Sequence, residues 1–313
     1  MSTKAQILKI ENDSPISTWF RIGGRARQLA LPESVEQLIE CLGIDPDLKV
    51  LGEGANLLVD DDGLTDLVVS MQTDGFKSVD IDAANGIVTA GAGTPLPRLI
   101  TQTVNQGLSG LQGLAGFPAT IGGAVIMNAG GRFGTISDHL VEVQALDRAG
   151  RMHAIKRSEI DFSYRRSGLN HLIITSATFQ LPHADTRSLK AELAECMHYK
   201  TDSQPMSAKS AGCAFKNPSI KQPIDGIPET NQADTNGVRV SAGMLIDRAG
   251  CKSMSSGGAR VSEIHANFIT TSPDAKARDV ITLMELVEQR VFDTFGVKLD
   301  PEVVIWSQSK EQR

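Results

Sequence analysis

The sequence predicts an α+β protein with many short strands, and three observations carry that reading. Apolar runs of about three to six residues, set off by glycine turns, recur as far as Ile174 and have the length and boundaries of strands. From Asp185 the chain changes to longer stretches with helical spacing and more charge. No regular alternation of strand and crossover helix runs through it, and no repeat occurs at a solenoid period.

Taken in order, the elements follow from local signals. A helix is expected near Val35–Leu42. Lys49–Leu51 leads into the turn GEGAN, Leu57–Val59 into DDG, and Leu67–Val69 follows as a further strand. Ile87–Thr89 runs into GAG, a second helix is expected over Pro97–Gln106, and Leu172–Ile174 opens another strand. Thr186–Thr201 reads as a helix carrying many charges. Ile220–Asn236, polar and rich in Pro, Asn and Asp, reads as a surface loop. The last helix shows its own limits: Ser272 as N-cap, Pro273 in the first turn, and Gly296 as the stop after Phe295. Its apolar positions are Val280, Leu283, Met284, Val287 and Val291. Val297–Trp306 is then a final strand, with Pro301 at a bulge or edge. A boundary falls near residue 184, with a cofactor part before it and a substrate part after it.

Composition narrows the function classes. With 313 residues, 41% hydrophobic and 22% charged, the chain has the make-up of a soluble globular protein with ample core. Its net charge of −6 and dispersed Lys and Arg residues give no electrostatic footprint for nucleic acid. The opening MSTKAQILKIENDS has no apolar signal core, and no run approaches the ~20 residues of a membrane span. Cys41, Cys196, Cys213 and Cys251 lie far apart and match no metal-ligand spacing, so thiols in a reducing cytoplasm are expected. Aromatic residues make up only 4%, which disfavours recognition by stacking.

The strongest local signal is GLSGLQGLAGFPATIGGAVIMNAGG, with eight glycines from Gly107 to Gly131. The interleaved Leu108, Leu111, Leu114, Phe117, Ile121, Val125, Ile126 and Met127 argue against a flexible linker. The expectation is a buried, folded loop whose N–H groups face an anion, with Gly122 and Gly123 after Pro118 suited to a nest. A second glycine turn, Gly52-x-Gly54 in LGEGANLLV, follows a strand. Neither segment has the Gly-Lys-Ser/Thr of a Walker loop, and Leu57 stands where a Rossmann fingerprint needs its third glycine. Two separated glycine loops suit a clamp on a long diphosphate-bearing cofactor; two hairpin turns in a glycine-rich sheet have the same spacing. In DFSYRRSGL, Arg165 and Arg166 offer planar charged forks for carboxylate or phosphate, although adjacent arginines ordinarily leave one in solvent. Cys213 in SAGCAFKNP is either an inert core thiol or, beside Lys216 and Asn217, part of a ligand site. His265, with Lys252, Glu263 and Asn267 in the same stretch, and Glu302 in LDPEV gain interest only in company.

Together these segments resemble the UDP-N-acetylenolpyruvoylglucosamine reductase (UDP-N-acetylmuramate dehydrogenase) family. The resemblance rests on TWFRIGGRA from Thr18, LGEGANLLV, GLSGLQGLAGFPATIGGAVIMNAG, FSYRRS, SAGCAFKNP, AGMLIDRAGCK, GGARVSEIHANF and LDPEV from Leu299, in family order. It implies a vanillyl-alcohol-oxidase/PCMH-type FAD-binding fold in two subdomains, 1–75 and 76–184. An α+β substrate-binding domain over 185–302 follows, with a tail over 303–313 returning to the FAD-binding part. The implied FAD is non-covalent, since Arg25 follows RIGG where some relatives in the wider fold carry a flavin-linking histidine. The implied cofactor contacts are Gly52, Glu53, Gly54, Ala55, Asn56, Leu57, Gly116, Thr120, Gly122, Gly123, Ala124 and Asn128, with the pyrophosphate between the two glycine loops.

The resemblance also implies a reaction: NADPH-driven reduction of UDP-N-acetylglucosamine enolpyruvate to UDP-N-acetylmuramate in peptidoglycan precursor synthesis. A cytoplasmic monomer is implied, taking a UDP-sugar and NADPH, with no metal, nucleic acid or membrane insertion. Arg165 matches the arginine that holds the enolpyruvyl carboxylate and stabilises the developing enolate, and Glu302 the carboxylate that assists. Cys213 stands where the family usually has a serine proton donor; a thiol, with a pKa near ~8.5, is the stronger acid. Tyr164, Lys216, Asn217, Lys252 and His265 match substrate contacts. The short interval between Arg165 and Cys213 resembles the subgroup without an extra tyrosine-bearing loop. Other departures are NAGGRFG for NAGAYG, which puts Phe133 in place of a phenol, GCKS for GLKG, and Val304 where a basic residue is common. Two other readings keep the glycine loops: another FAD-dependent oxidoreductase of this fold, or a silent flavin- or UDP-sugar-binding relative.

Overall fold

A computed structural model describes residues 7–230 and 237–308. The chain divides into two compact units, one of Met1–Pro15, Arg25–Glu53 and Leu64–Met197, the other of Ile16–Gly24, Gly54–Gly63 and His198–Arg313.

The first unit holds two sheets. In one, Lys9–Pro15, Arg25–Leu31, Leu64–Ser70 and Lys49–Leu51 lie side by side in that order, the first pair antiparallel and the rest parallel. In the other, Met152–Lys156, Leu140–Leu146, Ile173–Gln180, Ile87–Gly91 and Val79–Asp82 are antiparallel throughout. The helix Val35–Ile44 starts where Ser34 accepts the Gln37 N–H, and it buries Leu38, Cys41 and Leu42 along one stripe. Leu96–Asn105 has Pro97 in its first turn and buries Leu96, Leu99, Ile100 and Val104. These side chains join Val88, Val143, Ile173 and Phe179 in one core.

The glycine-dense stretch is not one loop. It contains a short turn of 3-10 helix, Gln112–Leu114, an α-helix, Ile121–Ile126, and a strand, Gly130–Gly131, paired with Gly134–Thr135. Helix forms despite Gly122 and Gly123 because Thr120 caps it and its apolar face, Ile121, Ala124 and Val125, is buried.

The second unit has its own core, built on Phe215, Leu245, Ile246, Val261, Val280, Leu283 and Val287. Ser255–Ser256, Ala259–Val261 and Ile269–Thr271 form an antiparallel sheet, and Leu57–Val59 pairs in parallel with Val304–Trp306. The helix Ala242–Arg248, which the sequence reading did not mark, starts at Ser241, whose side chain accepts the Met244 N–H. The last helix is Ala277–Phe295, starting later than Ser272. Ser272 instead opens a turn, its carbonyl accepting the Ala275 N–H. The helix start is met by two carboxylates: Asp279 accepts from Lys276 N–H at 3.0 Å, and Asp61 from Ala277 and Arg278 N–H at 2.9 and 3.0 Å. Gly296, at φ 67°, ends the helix as expected. The final strand is only Val304–Trp306, and Pro301 forms an isolated bridge with Phe215. The stretch read as a surface loop from Ile220 is tied down: Ser219–Ile220 pairs with Val238–Arg239, Glu229 bridges Val240, and Ile227 is buried. Its residues 231–236 lie outside the described residues.

Among the described residues no helix is long and apolar enough to cross a membrane, and no cluster of His, Cys, Asp and Glu could hold a metal ion. No disulfide joins the four cysteines.

Candidate active site

In the first unit the two glycine segments meet. A Cβ on Gly52 would lie 2.6 Å from Thr120 Oγ1, so only glycine lets the two approach. Gln72 Nε2 donates to the Gly52 carbonyl at 3.0 Å and to the Glu53 carboxylate at 2.8 Å, fixing the turn from the other side. Thr120, buried, accepts the Gly123 N–H at 3.3 Å.

The anion nest expected at Gly122–Gly123 is not formed. Ile121 N–H donates to the Thr94 carbonyl at 3.0 Å, Gly122 N–H to Ala92 at 2.8 Å and Ala124 N–H to Thr120 at 2.8 Å. These donors belong to the start of the Ile121–Ile126 helix and its seat on the Gly91–Thr94 turn. Gly122 serves close packing, since a Cβ there would lie 3.0 Å from Ala92 Cβ. Gly116, at φ 74°, makes a turn that other residues adopt with strain.

The spare donors lie instead in GEGAN. In the second unit, the carbonyls of Gly54 and Asn56 accept from Trp19 N–H at 3.1 Å and Val304 N–H at 3.0 Å. Asn56 Nδ2 donates to the Glu302 carbonyl at 2.9 Å, and Leu57 is buried in the pair with Val304. The N–H groups of Gly54, Ala55 and Asn56 donate to no acceptor among the described residues. Gly54 is buried at φ 65°, with a would-be Cβ 2.1 Å from the Ser17 carbonyl oxygen. Buried backbone N–H groups are nearly always bonded, so consecutive spare ones around a left-handed residue make a cradle for an anion.

The YRRS segment is a tight turn. Ser163 and Arg166 exchange backbone hydrogen bonds at 2.9 and 3.1 Å, leaving Tyr164 and Arg165 at the tip. Arg166 is exposed and Arg165 partly buried, which separates the two arginines. Arg165 Nη1 donates to the Gly130 carbonyl at 2.6 Å, and its guanidinium carbon lies 5.2 Å from the Tyr164 ring centre. Asn128 ties down the same turn, its Nδ2 donating to the Ser163 carbonyl at 2.9 Å. Its Oδ1 is buried without a hydrogen-bond partner among the described residues. Ser167 Oγ adds a bond to the Ile126 carbonyl at 2.8 Å, so the end of the glycine segment and the arginine turn hold each other.

The remaining residues lie in the second unit. Cys213 is partly buried after Gly212, which is at φ 79°. Glu302 N–H donates to the Ala214 carbonyl at 2.8 Å and Lys216 N–H to the Asp300 carbonyl at 2.9 Å. These bonds set the backbone of Cys213–Lys216 beside that of Glu302. Asn217 Oδ1 accepts the Ala242 N–H at 3.0 Å, and its carbonyl accepts from Arg239 at 2.8 Å. Lys252 is exposed and pairs with Asp247 at 2.8 Å. His265 packs edge-on to Phe268, with ring centres 5.0 Å apart, and its Nδ1 accepts the Asn267 N–H at 3.2 Å, which places the imidazole proton on Nε2. Burial chiefly, with the Lys252 charge adding to it, holds this imidazole below the usual histidine range. Asn267 and Gln72 carry much of the positioning; the sequence marks Asn267 only as a companion of His265 and gives no signal for Gln72, because an amide becomes informative only when its partners are known.

Residues 204–306 match the family model of the UDP-N-acetylenolpyruvoylglucosamine reductase C-terminal domain, and residues 26–156 match an FAD binding domain. A UDP-N-acetylenolpyruvoylglucosamine reductase of Moorella thermoacetica is 37% identical over 310 residues, 97% of this chain and 95% of the relative. The chain belongs to the UDP-N-acetylenolpyruvoylglucosamine reductase family. A Prochlorococcus marinus reductase is 34% identical over 304 residues, 95% of this chain and 97% of that one. The crystal structure of the reductase from Thermus caldophilus is similar at a TM-score of 0.77 and 34% identity, covering 96% of this chain and 99% of that one. The family resemblance read from the motifs, and the α+β FAD-binding fold it implied, are thereby borne out.

Proposed function

We propose that this protein is an FAD-dependent, NADPH-driven reductase that converts UDP-N-acetylglucosamine enolpyruvate to UDP-N-acetylmuramate in peptidoglycan precursor synthesis. The observation that carries this reading is the end-to-end likeness to the reductases. Residues up to 184 are assigned to the cofactor and 185–302 to the substrate; the pairing of Val304–Trp306 with Leu57–Val59 supports grouping the tail with the cofactor loop.

The residues present fit FAD. The spare N–H groups of Gly54, Ala55 and Asn56 suit its pyrophosphate. Gly52, Glu53, Leu57, Gly116, Thr120, Gly122, Gly123, Ala124 and Asn128 complete the proposed contacts, held without a covalent link. When bound, FAD supplies hydride chemistry between NADPH and the enolpyruvyl double bond.

Arg165 is assigned to the substrate carboxylate, where negative charge develops as the double bond is reduced. Its guanidinium is anchored in advance on Gly130 and Tyr164, and preorganised donors of this kind contribute several kcal/mol at a developing anion. Cys213 is assigned as the acid that delivers a proton from Sγ to the carbon bearing the ether oxygen, with Glu302 assisting. Tyr164, Lys216, Asn217, Lys252 and His265 are the proposed substrate contacts. His265, neutral near pH 7, would offer its Nε2–H as a donor.

Purified protein is expected to be yellow, to bleach with NADPH, and to regain colour anaerobically when the enolpyruvyl substrate is added. Bleaching without recovery overturns the assignment. Cys213→Ala should bleach normally and recover slowly, whereas Cys213→Ser should keep much of the recovery rate.

A further inference from the structure

Asn267 is 3% exposed, and both ends of its amide bond to one residue. Oδ1 accepts the Phe215 N–H at 3.0 Å and Nδ2 donates to the Phe215 carbonyl at 2.8 Å. The Asn267 backbone carbonyl accepts the Ala214 N–H at 2.7 Å. On the other side of the same segment, the Ala214 carbonyl accepts from Glu302 N–H and Lys216 N–H donates to Asp300. From the Ala214 N–H to the Lys216 N–H, every backbone polar group thus has a partner, and two of the five partners are the ends of one side chain. The amide takes the place of a neighbouring strand.

This placement bears on the chemistry of the segment's ends. Cys213 immediately precedes the clamped stretch and bridges Phe268, the residue after Asn267. Glu302 is bonded to Ala214, the first residue of that stretch. Loosening Phe215 would therefore release the backbone that carries Cys213 and the bond that registers Glu302 against it. The clamp needs a donor and an acceptor in one plane at this reach. Aspartate lacks the donor when ionised, and glutamine is one methylene longer.

We propose that Asn267 is a positioning residue for the reduction, holding Cys213 and Glu302 in register through the two bonds of its amide to Phe215. The proposal rests on the reading of Cys213 as proton donor. It concerns the step in which a proton leaves the Cys213 thiol, and Asn267 itself touches no reacting atom.

The test uses the full chain loaded with FAD. Asn267→Asp, Asn267→Gln and Asn267→Ala are compared with wild type for NADPH bleaching, anaerobic recovery with the enolpyruvyl substrate, and the solvent deuterium isotope effect on recovery. Val280→Ala, a cavity in the core of the same unit, serves as the control for loss of stability. Asn267→Asp should bleach within about two-fold of wild type, but recover on the order of 10- to 100-fold more slowly with a larger isotope effect, since a positioned acid contributes about that much or more. Its rate relative to wild type should rise on acidification, because a protonated carboxyl restores a donor facing Phe215. If Asn267→Ala does not fold, Asn267→Asp and Asn267→Gln carry the comparison. Wild-type recovery and isotope effect in these variants would overturn the proposal, as would a slowing no greater than that of Val280→Ala at equal loss of Tm. A wild-type recovery rate in Cys213→Ala would instead overturn the proton-donor reading beneath it.

Discussion

Gly54 meets two demands that call for glycine, a left-handed φ of 65° and a backbone pressed against Ser17, and it carries a buried N–H with no acceptor among the described residues. Gly54→Ala should destabilise the protein by about 1–3 kcal/mol, the usual range for backbone forced into a sparsely populated region. It should also weaken FAD binding at least tenfold, read by flavin titration beside urea unfolding; unchanged affinity would remove Gly54 from the cofactor cradle. His265 makes a second prediction at this scale. Its folded-state affinity for a proton is lowered, mainly by burial, so the unfolded chain binds that proton more readily. Stability should therefore be flat above the unfolded pKa of about 6.5 and fall as the pH drops below it. Urea unfolding between pH 8 and 5 should show this slope, and His265→Gln should reduce it.

Among the elements, the helix Ala277–Phe295 shows how distant sequence completes a local structure. Its periodic apolar face and its Gly296 stop are encoded within the helix, but two of its first N–H groups are met by Asp61, 216 residues before Ala277. A carboxylate there both caps the donors and complements the positive end of the helix dipole. Asp61→Ala should lower stability by about 1 kcal/mol with an unchanged denaturant slope, and Asp61→Asn by less, since the amide keeps one acceptor. The Ile121–Ile126 helix follows the same logic in reverse. Its capped and bonded N–H groups explain why the more conspicuous glycine pair offers no anion nest, while the N–H groups of Gly54, Ala55 and Asn56 donate to no acceptor among the described residues.

Over the whole molecule, the cysteines divide by burial. Cys41, Cys196 and Cys251 are buried and Cys213 is partly exposed. Burial pushes the Cys41 thiol up to about 11 and raises that of Cys251, which leaves both poor nucleophiles near neutral pH. A thiol reagent should therefore titrate one fast site in the native protein, lost in Cys213→Ser, and four sites after denaturation without reductant. Two fast sites, or fewer than four in the denatured chain, would contradict this arrangement.

The sequence by itself determined the α+β class, the helices read near Val35–Leu42 and Pro97–Gln106, which the structure bounds at Val35–Ile44 and Leu96–Asn105, the Gly296 stop and the absence of cysteine pairing signals. Periodicity, caps and breakers act within a few residues, so a linear reading reaches them. The family was legible too, because its motifs recur in order. The tertiary structure decided the rest: the late start of the last helix, the bonded donors of Ile121–Ala124, the spare donors of Gly54–Asn56, the separation of Arg165 from Arg166, and the clamp of Asn267 on Phe215. Each of these depends on whether a polar group finds a partner, and that partner is supplied by chain distant in sequence. A spare N–H or a two-ended amide bond exists only after the whole fold has assigned every other donor and acceptor.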